Sequence, residues 1–95
     1  MAYKIIPSKQ VIKYLKKLKD TRLKQKFVNV MYDDIATNPY NGQQKSGDLA
    51  GVWSVDFNYA GTTYRVAYEI QNDSIVPVLL CGTHENFYEQ LKNIR

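Results

Sequence analysis

Three patterns in the sequence predict an α+β fold in the order β-α-α-β-β-β-α. Apolar residues recur at helical spacing from Lys9 to Ile35, the period changes to two after Gly51, and spacings of three and four return from His84. A chain of 95 residues has interior enough for one modest core, so residues 1–95 are expected to form one domain.

Ala2 to Ile6 is a short apolar run closed by Pro7, which ends hydrogen-bond donation and fits a brief strand. Ser8 follows as a helix N-cap. From Lys9 to Lys19, Val11, Ile12, Leu15 and Leu18 fall on one helical face and lysines fill the rest. Asp20 or Thr21 caps a second helix, whose stripe Leu23, Phe27, Val30, Met31 and Ile35 runs toward Asn38-Pro39, so the two helices form a hairpin. The polar, turn-rich stretch 38–48 reads as a surface loop. Trp53, Val55, Phe57 and Tyr59 then alternate with polar residues, as do Tyr64, Val66, Tyr68 and Ile70, which predicts two half-buried strands. Ser74 to Cys81 is apolar on both faces, as in a central strand, although Pro77 argues against that place because it cannot donate to a ladder. Phe87, Leu91 and Ile94 predict a final helix over His84–Ile94.

If the aromatic residues of the two alternating strands share the core face, odd-numbered residues of the first must pair with even-numbered residues of the second. A two-residue turn at Ala60-Gly61 then sets Phe57 opposite Tyr64 and Asp56 opposite Arg65, with Arg65 projecting from the open side of the sheet.

Charge is unevenly distributed. Residues 1–26 carry 9 of the 13 Lys and Arg against one acid, a net +8, whereas residues 27–95 carry 4 basic and 8 acidic residues, a net −4. A basic block on an acidic body suits a polyanion partner, since lysines gain affinity for phosphate by releasing counterions; a lysine face that only keeps the helix solvated is the alternative. The lone Cys81 needs no oxidising compartment, and no run is long enough for a membrane span or a signal-peptide core. The expected setting is the cytoplasm, without membrane attachment.

Phosphate-binding glycine loops, serine-hydrolase elbows and zinc motifs are all absent from the sequence, so no cofactor or metal is expected. What remains is a small polar set near the sheet: Lys45, Arg65, His84 and Tyr88. Metal-free RNA cleavage needs a base for the ribose 2′ proton, an acid for the leaving 5′ oxygen and a cation on the phosphate, and these residue types supply them. The blander readings stand beside this one. His84 and Tyr88, four apart on a helix, fit a packing pair, and Arg65 with Asp56 fits an ordinary cross-strand ion pair.

Three segments, Leu49-Ala50-Gly51-Val52-Trp53-Ser54, Tyr64-Arg65-Val66-Ala67-Tyr68 and Cys81-Gly82-Thr83-His84-Glu85-Asn86-Phe87-Tyr88, resemble in this order the RelE/ParE superfamily of bacterial toxin-antitoxin toxins. The first two are similar to YoeB-type toxins and the third to YafQ-type toxins. The resemblance implies a curved antiparallel sheet with the helical hairpin on one face and an RNA site on the other. It also implies a ribosome-dependent endoribonuclease that cuts mRNA to a 2′,3′-cyclic phosphate. Arg65 would stabilise charge on the phosphate, His84 would serve acid/base chemistry, Tyr88 would stack or position a base, and Lys45 would hold RNA phosphate. Lys13, Lys16 and Lys17 would meet ribosomal RNA. A cognate antitoxin is the implied protein partner, the free chain being monomeric and the complex hetero-oligomeric. Two departures are visible: Leu79-Leu80-Cys81 stands where many members carry a second arginine, and only Asp48 lies near the position of a loop glutamate base. The alternatives are a ParE-like poison of DNA gyrase and an inactive binding module.

Overall fold

The computed structural model describes residues 2–94. Strands β1 (Lys4–Pro7), β2 (Gln43–Gln44), β3 (Trp53–Tyr59), β4 (Thr62–Tyr68) and β5 (Ile75–Thr83) form one sheet in the order β1-β5-β4-β3-β2. Helices α1 (Lys9–Lys17) and α2 (Thr21–Asn29) lie between β1 and β2, and α3 (Phe87–Ile94) follows β5. The α+β order read from the sequence is therefore present, with a short β2 added inside the 38–48 loop. The sheet is mixed rather than wholly antiparallel, because β1 runs parallel to β5. The α1–α2 hairpin carries the chain away after β1, and β5 returns to it in the same direction.

Ser8 caps α1 by accepting from the Val11 amide at 3.2 Å, and Asp20 caps α2 through the Arg22 and Leu23 amides at 3.1 and 3.2 Å. Helix α1 stops at Lys17, short of the expected end at Lys19, because Leu18 is already extended. Helix α2 continues through a π-helical stretch, Val30–Ile35, which keeps Val30, Met31 and Ile35 buried. Ile12 departs from the expected stripe and is exposed, while Val11 is fully buried.

The β3–β4 hairpin has the expected register, with Phe57 opposite Tyr64 and Asp56 opposite Arg65. Ala60 and Gly61 both take positive φ, at 50° and 81°, as a two-residue turn matched to strand twist requires. Strand β5 is central despite Pro77. The ladder with β4 shifts between Ala67 and Tyr68, which pair with Leu80 and Val78, so Leu79 is an extra residue at a bulge. Pro77 sits beside this irregularity, still accepting from the Glu69 amide through its carbonyl at 3.0 Å. The Ser8 hydroxyl donates to the Leu79 carbonyl at 2.9 Å, tying the helix cap to the bulge.

The bulge also divides the core. Val76, Val78 and Cys81 join Val66, Tyr68, Phe27 and the helical residues on one face, whereas Leu80 turns to the other face with Leu49, Val52, Ala67, Phe87 and Leu91. Phe27 is the hub of the first cluster, edge-on to Tyr14, Phe57 and Tyr64 with ring centroids 5.0–5.6 Å apart. The second cluster places α3 on the sheet face opposite α1 and α2.

Candidate functional site

The site begins with the β3–β4 ladder, which sets Asp56 and Arg65 side by side on the α3 face. The Arg65 Nε and Nη2 donate to the two Asp56 carboxylate oxygens at 2.7 and 3.0 Å. Arg65 does not project freely from an open face as expected. Its side chain is 16% exposed, against 41% for Asp56, because α3 covers it. The guanidinium carbon lies 4.9 Å from the centre of the Tyr88 ring and 5.8 Å from that of Phe87. The hydrogen bond from Arg65 is the main cause that holds the Asp56 carboxyl below its ordinary range; burial opposes it, and the charges of Arg65, Lys45 and His84 assist. Arg65 is raised in turn, chiefly by the same bond.

Lys45 joins from the loop. Its backbone is fixed by its amide donating to the Val52 carbonyl at 2.8 Å, and its Nζ lies 5.0 Å from the Tyr88 ring centre while donating to Gln43 at 3.1 Å. Tyr88 is therefore a ring with two cations, Arg65 and Lys45, about it. Lys45, Tyr88 and Lys92 line a groove of about 430 Å³, in which Lys92 pairs with Asp48 at 3.6 Å.

His84 is not in the final helix, which corrects the expected start at His84 and the shared helical face with Tyr88. Helix α3 begins at Phe87, after a turn in which Asn86 has a φ of 53°. The His84 amide instead extends the β4–β5 ladder, donating to the Thr63 carbonyl at 3.2 Å, and its Nδ1 lies 3.3 Å from the same oxygen. A carbonyl only accepts, so in this contact Nδ1 is the donor and Nε2 is the ring nitrogen outside it.

Lys13, Lys16 and Lys17 are exposed on α1. Lys13 and Lys17 border a separate groove of about 350 Å³ that runs between α1, the end of β5 and α3, and Lys16 does not. The structure thus brings Lys45, Arg65 and Tyr88 together beside Asp56, holds His84 against Thr63 two residues along β4 from Arg65, and sets the α1 lysines apart. Two residues of this neighbourhood went unassigned in the sequence. Asp56 appeared only as an ion-pair partner, and Lys92 was signalled by nothing but its helical spacing of four from Tyr88. Among the described residues, no cluster of His, Cys, Asp or Glu is suited to hold a metal ion, and no helix is long and apolar enough to cross a membrane.

The chain belongs to the ParE-like toxins of type II bacterial toxin-antitoxin systems, whose family profile matches residues 5–92. No curated protein matches it by sequence. Among solved structures it is similar to a chain of the RelBE2 toxin-antitoxin complex from Mycobacterium tuberculosis, with 24% identity over 88% of this chain and 100% of that one and a TM-score of 0.73. It is also similar to the E. coli toxin RelE in a free, doubly arginine-substituted form, with 22% identity over 99% and 94% of the two chains and a TM-score of 0.61. A chain of the intact E. coli RelBE toxin-antitoxin complex aligns at 22% identity over 88% and 99%, with a TM-score of 0.58. At these identities the likeness establishes a RelE-like fold.

Proposed function

We propose that this toxin is a ribosome-dependent mRNA endoribonuclease, acting in the cytoplasm without a metal and restrained by a cognate antitoxin. The observation that carries the reading is the meeting of Lys45 and Arg65 at the Tyr88 ring, with His84 held against Thr63 two residues along β4 from Arg65. In this reading the ribose 2′ hydroxyl gives its proton to water and its oxygen forms a bond to phosphorus, while the bond from phosphorus to the 5′ oxygen breaks and that oxygen takes a proton delivered by His84 Nε2. That leaves a 2′,3′-cyclic phosphate. Arg65 and Lys45 place positive charge on the phosphate as its negative charge grows, and Tyr88 offers a ring on which a base stacks. Lys13, Lys16 and Lys17 supply phosphate contacts to ribosomal RNA. The antitoxin reading draws on the toxin-antitoxin complexes among the structural neighbours, with a monomeric free toxin and a hetero-oligomeric complex.

A second reading, a poison of DNA gyrase, is favoured by one observation. Leu80 and Cys81, at the place where a second arginine would stand, are buried apolar residues, so Arg65 is the one arginine of the β3–β4–β5 ladder. Primer extension on mRNA from cells expressing the chain separates the two. Discrete cuts within codons, absent for Arg65→Ala, support the nuclease. Intact mRNA together with DNA breaks and an SOS response supports the gyrase poison.

A further inference from the structure

We infer that Asp56 is a positioning residue of this site, clamping one edge of the Arg65 guanidinium and so fixing the orientation in which the group meets phosphate. The inference rests on the RNA-cleavage reading and deepens it. A guanidinium carries five N–H donors arranged as two forks, one shared by Nε and Nη2 and the other by Nη1 and Nη2. Asp56 takes the first fork with both oxygens, at 2.7 and 3.0 Å. The second fork has the geometry that matches two phosphate oxygens.

The pair differs from a solvated surface ion pair in which partner is covered. Arg65, the cation, is the buried member, with Tyr88 and Phe87 at its planar group, and Asp56 is the more exposed one. Asp56 is itself held on a stiff frame. It is paired in register with Arg65, and the hairpin tip beyond it is tied by Thr63 donating to Asn58 at 2.8 Å and by Tyr59 donating to Asp20 at 2.9 Å. A carboxylate on such a frame fixes the roll of the guanidinium about its long stem. Without it, the Nε fork turns to seek another acceptor, and the phosphate meets a cation of variable orientation.

The test uses the full-length toxin and mRNA-programmed ribosomes, measuring kcat and KM for the wild type, Asp56→Asn, Asp56→Glu, Arg65→Ala and the double variant Asp56→Asn/Arg65→Ala. Asparagine keeps the size but loses the charge and one acceptor. It should lower kcat by roughly 10-fold to 10²-fold, the scale of a misplaced catalytic group, with KM near wild type and the protein still folded at the assay temperature. Asp56→Glu, which keeps the charge on a longer arm, should recover part of that loss. Because Asp56 acts through Arg65, the double variant should be no slower than Arg65→Ala alone. A wild-type kcat for Asp56→Asn overturns the inference. So does a faster variant, which would make Asp56 a competitor of phosphate, or a multiplicative loss in the double variant, which would give Asp56 a role of its own. Unfolding of both Asp56 variants makes the pair structural and overturns it equally. If the wild type leaves mRNA intact, the cleavage reading fails first and the inference falls with it, a result distinct from all the others.

Discussion

Gly42→Ala should be among the most damaging single-methyl changes in this chain, and the reason is space alone. Gly42 has a φ of −72° and a ψ of 177°, extended backbone that any residue adopts. A Cβ there would lie 2.1 Å from the Tyr68 hydroxyl oxygen, 3.1 Å from its Cζ and 3.0 Å from the Ser54 carbonyl oxygen. Neither neighbour retreats easily: Ser54 is strand backbone, and Tyr68 is fully buried with its hydroxyl donating to the Pro39 carbonyl at 2.5 Å. If Tyr68 turns away, a buried hydroxyl and its acceptor lose their bond, costing about 1–3 kcal/mol. If the loop lifts off β3 instead, overpacking costs a similar ~1–3 kcal/mol. Taking about 2 kcal/mol, and about 4–8 °C per kcal/mol for a domain of this size, the melting temperature should fall by roughly 8–16 °C. Gly47→Ala is the contrast, since Gly47 has a φ of 65° and open space around its would-be Cβ. Its cost is conformational only, about 1 kcal/mol. Thermal melts followed by circular dichroism compare the three proteins. A Gly42→Ala melt within about 2 °C of wild type, or above that of Gly47→Ala, refutes the steric argument.

Further outcomes follow from the site and its frame. His84→Gln should reduce cleavage by about 10²-fold to 10⁴-fold, the range for a lost acid or base, without moving the melting temperature, because His84 is exposed. Tyr88→Phe keeps the stacking ring, so normal cleavage by the His84→Gln/Tyr88→Phe double variant would remove both residues from the chemistry. Replacing Lys13, Lys16 and Lys17 with Gln should flatten the salt dependence of ribosome association by roughly one unit of logarithmic slope for each phosphate that the helix ceases to neutralise, and an unchanged slope would make α1 a solvated face. Asp20 and Asp56 both sit below the ordinary 3.8, Asp20 through the Leu23 amide first and Asp56 through Arg65 first. A carboxyl depressed by folding contributes stability that is present above its unfolded value and lost as pH falls through the folded one. Thermal stability should therefore decline below about pH 4, and less steeply in Asp20→Ala/Asp56→Asn. Equal acid limbs for that variant and the wild type would show that these two groups do not govern the decline.

The β3–β4 hairpin was legible in the sequence because two local facts determine it. Alternation fixes the parity of pairing, and a two-residue turn fixes the offset, so Phe57 against Tyr64 and Asp56 against Arg65 follow directly. The Ser8 cap was legible for the same kind of reason, and the second cap was narrowed to Asp20 or Thr21, of which the structure uses Asp20. The His84 region was not, since spacings of three and four among Phe87, Leu91 and Ile94 are the same wherever the helix begins. The left-handed Asn86 and the ladder bond to Thr63 decide that His84 ends a strand instead. Pro77 misled because a bulge two residues away is a tertiary matter, as is the parallel partner of β1. Of the site residues, Lys45, Arg65 and Tyr88 are brought together by α3 crossing the far sheet face, which no local pattern encodes.

The Ser8–Leu79 bond joins residues 71 positions apart, and between them lie both helices of the hairpin and strands β2, β3 and β4. A ribosome making this chain extrudes the lysine-rich helices long before the central strand they must rest on. Until β5 emerges, the apolar side of Phe27, Met31 and Ile35 has no sheet to cover it except an unsupported hairpin. Closing so long a loop is slow compared with forming a helix. The nascent toxin therefore passes through an interval in which Arg65 already has Asp56, but the His84 turn and the Tyr88 ring do not yet exist. The meeting of Lys45 and Arg65 at the Tyr88 ring is therefore completed only once α3 has been made.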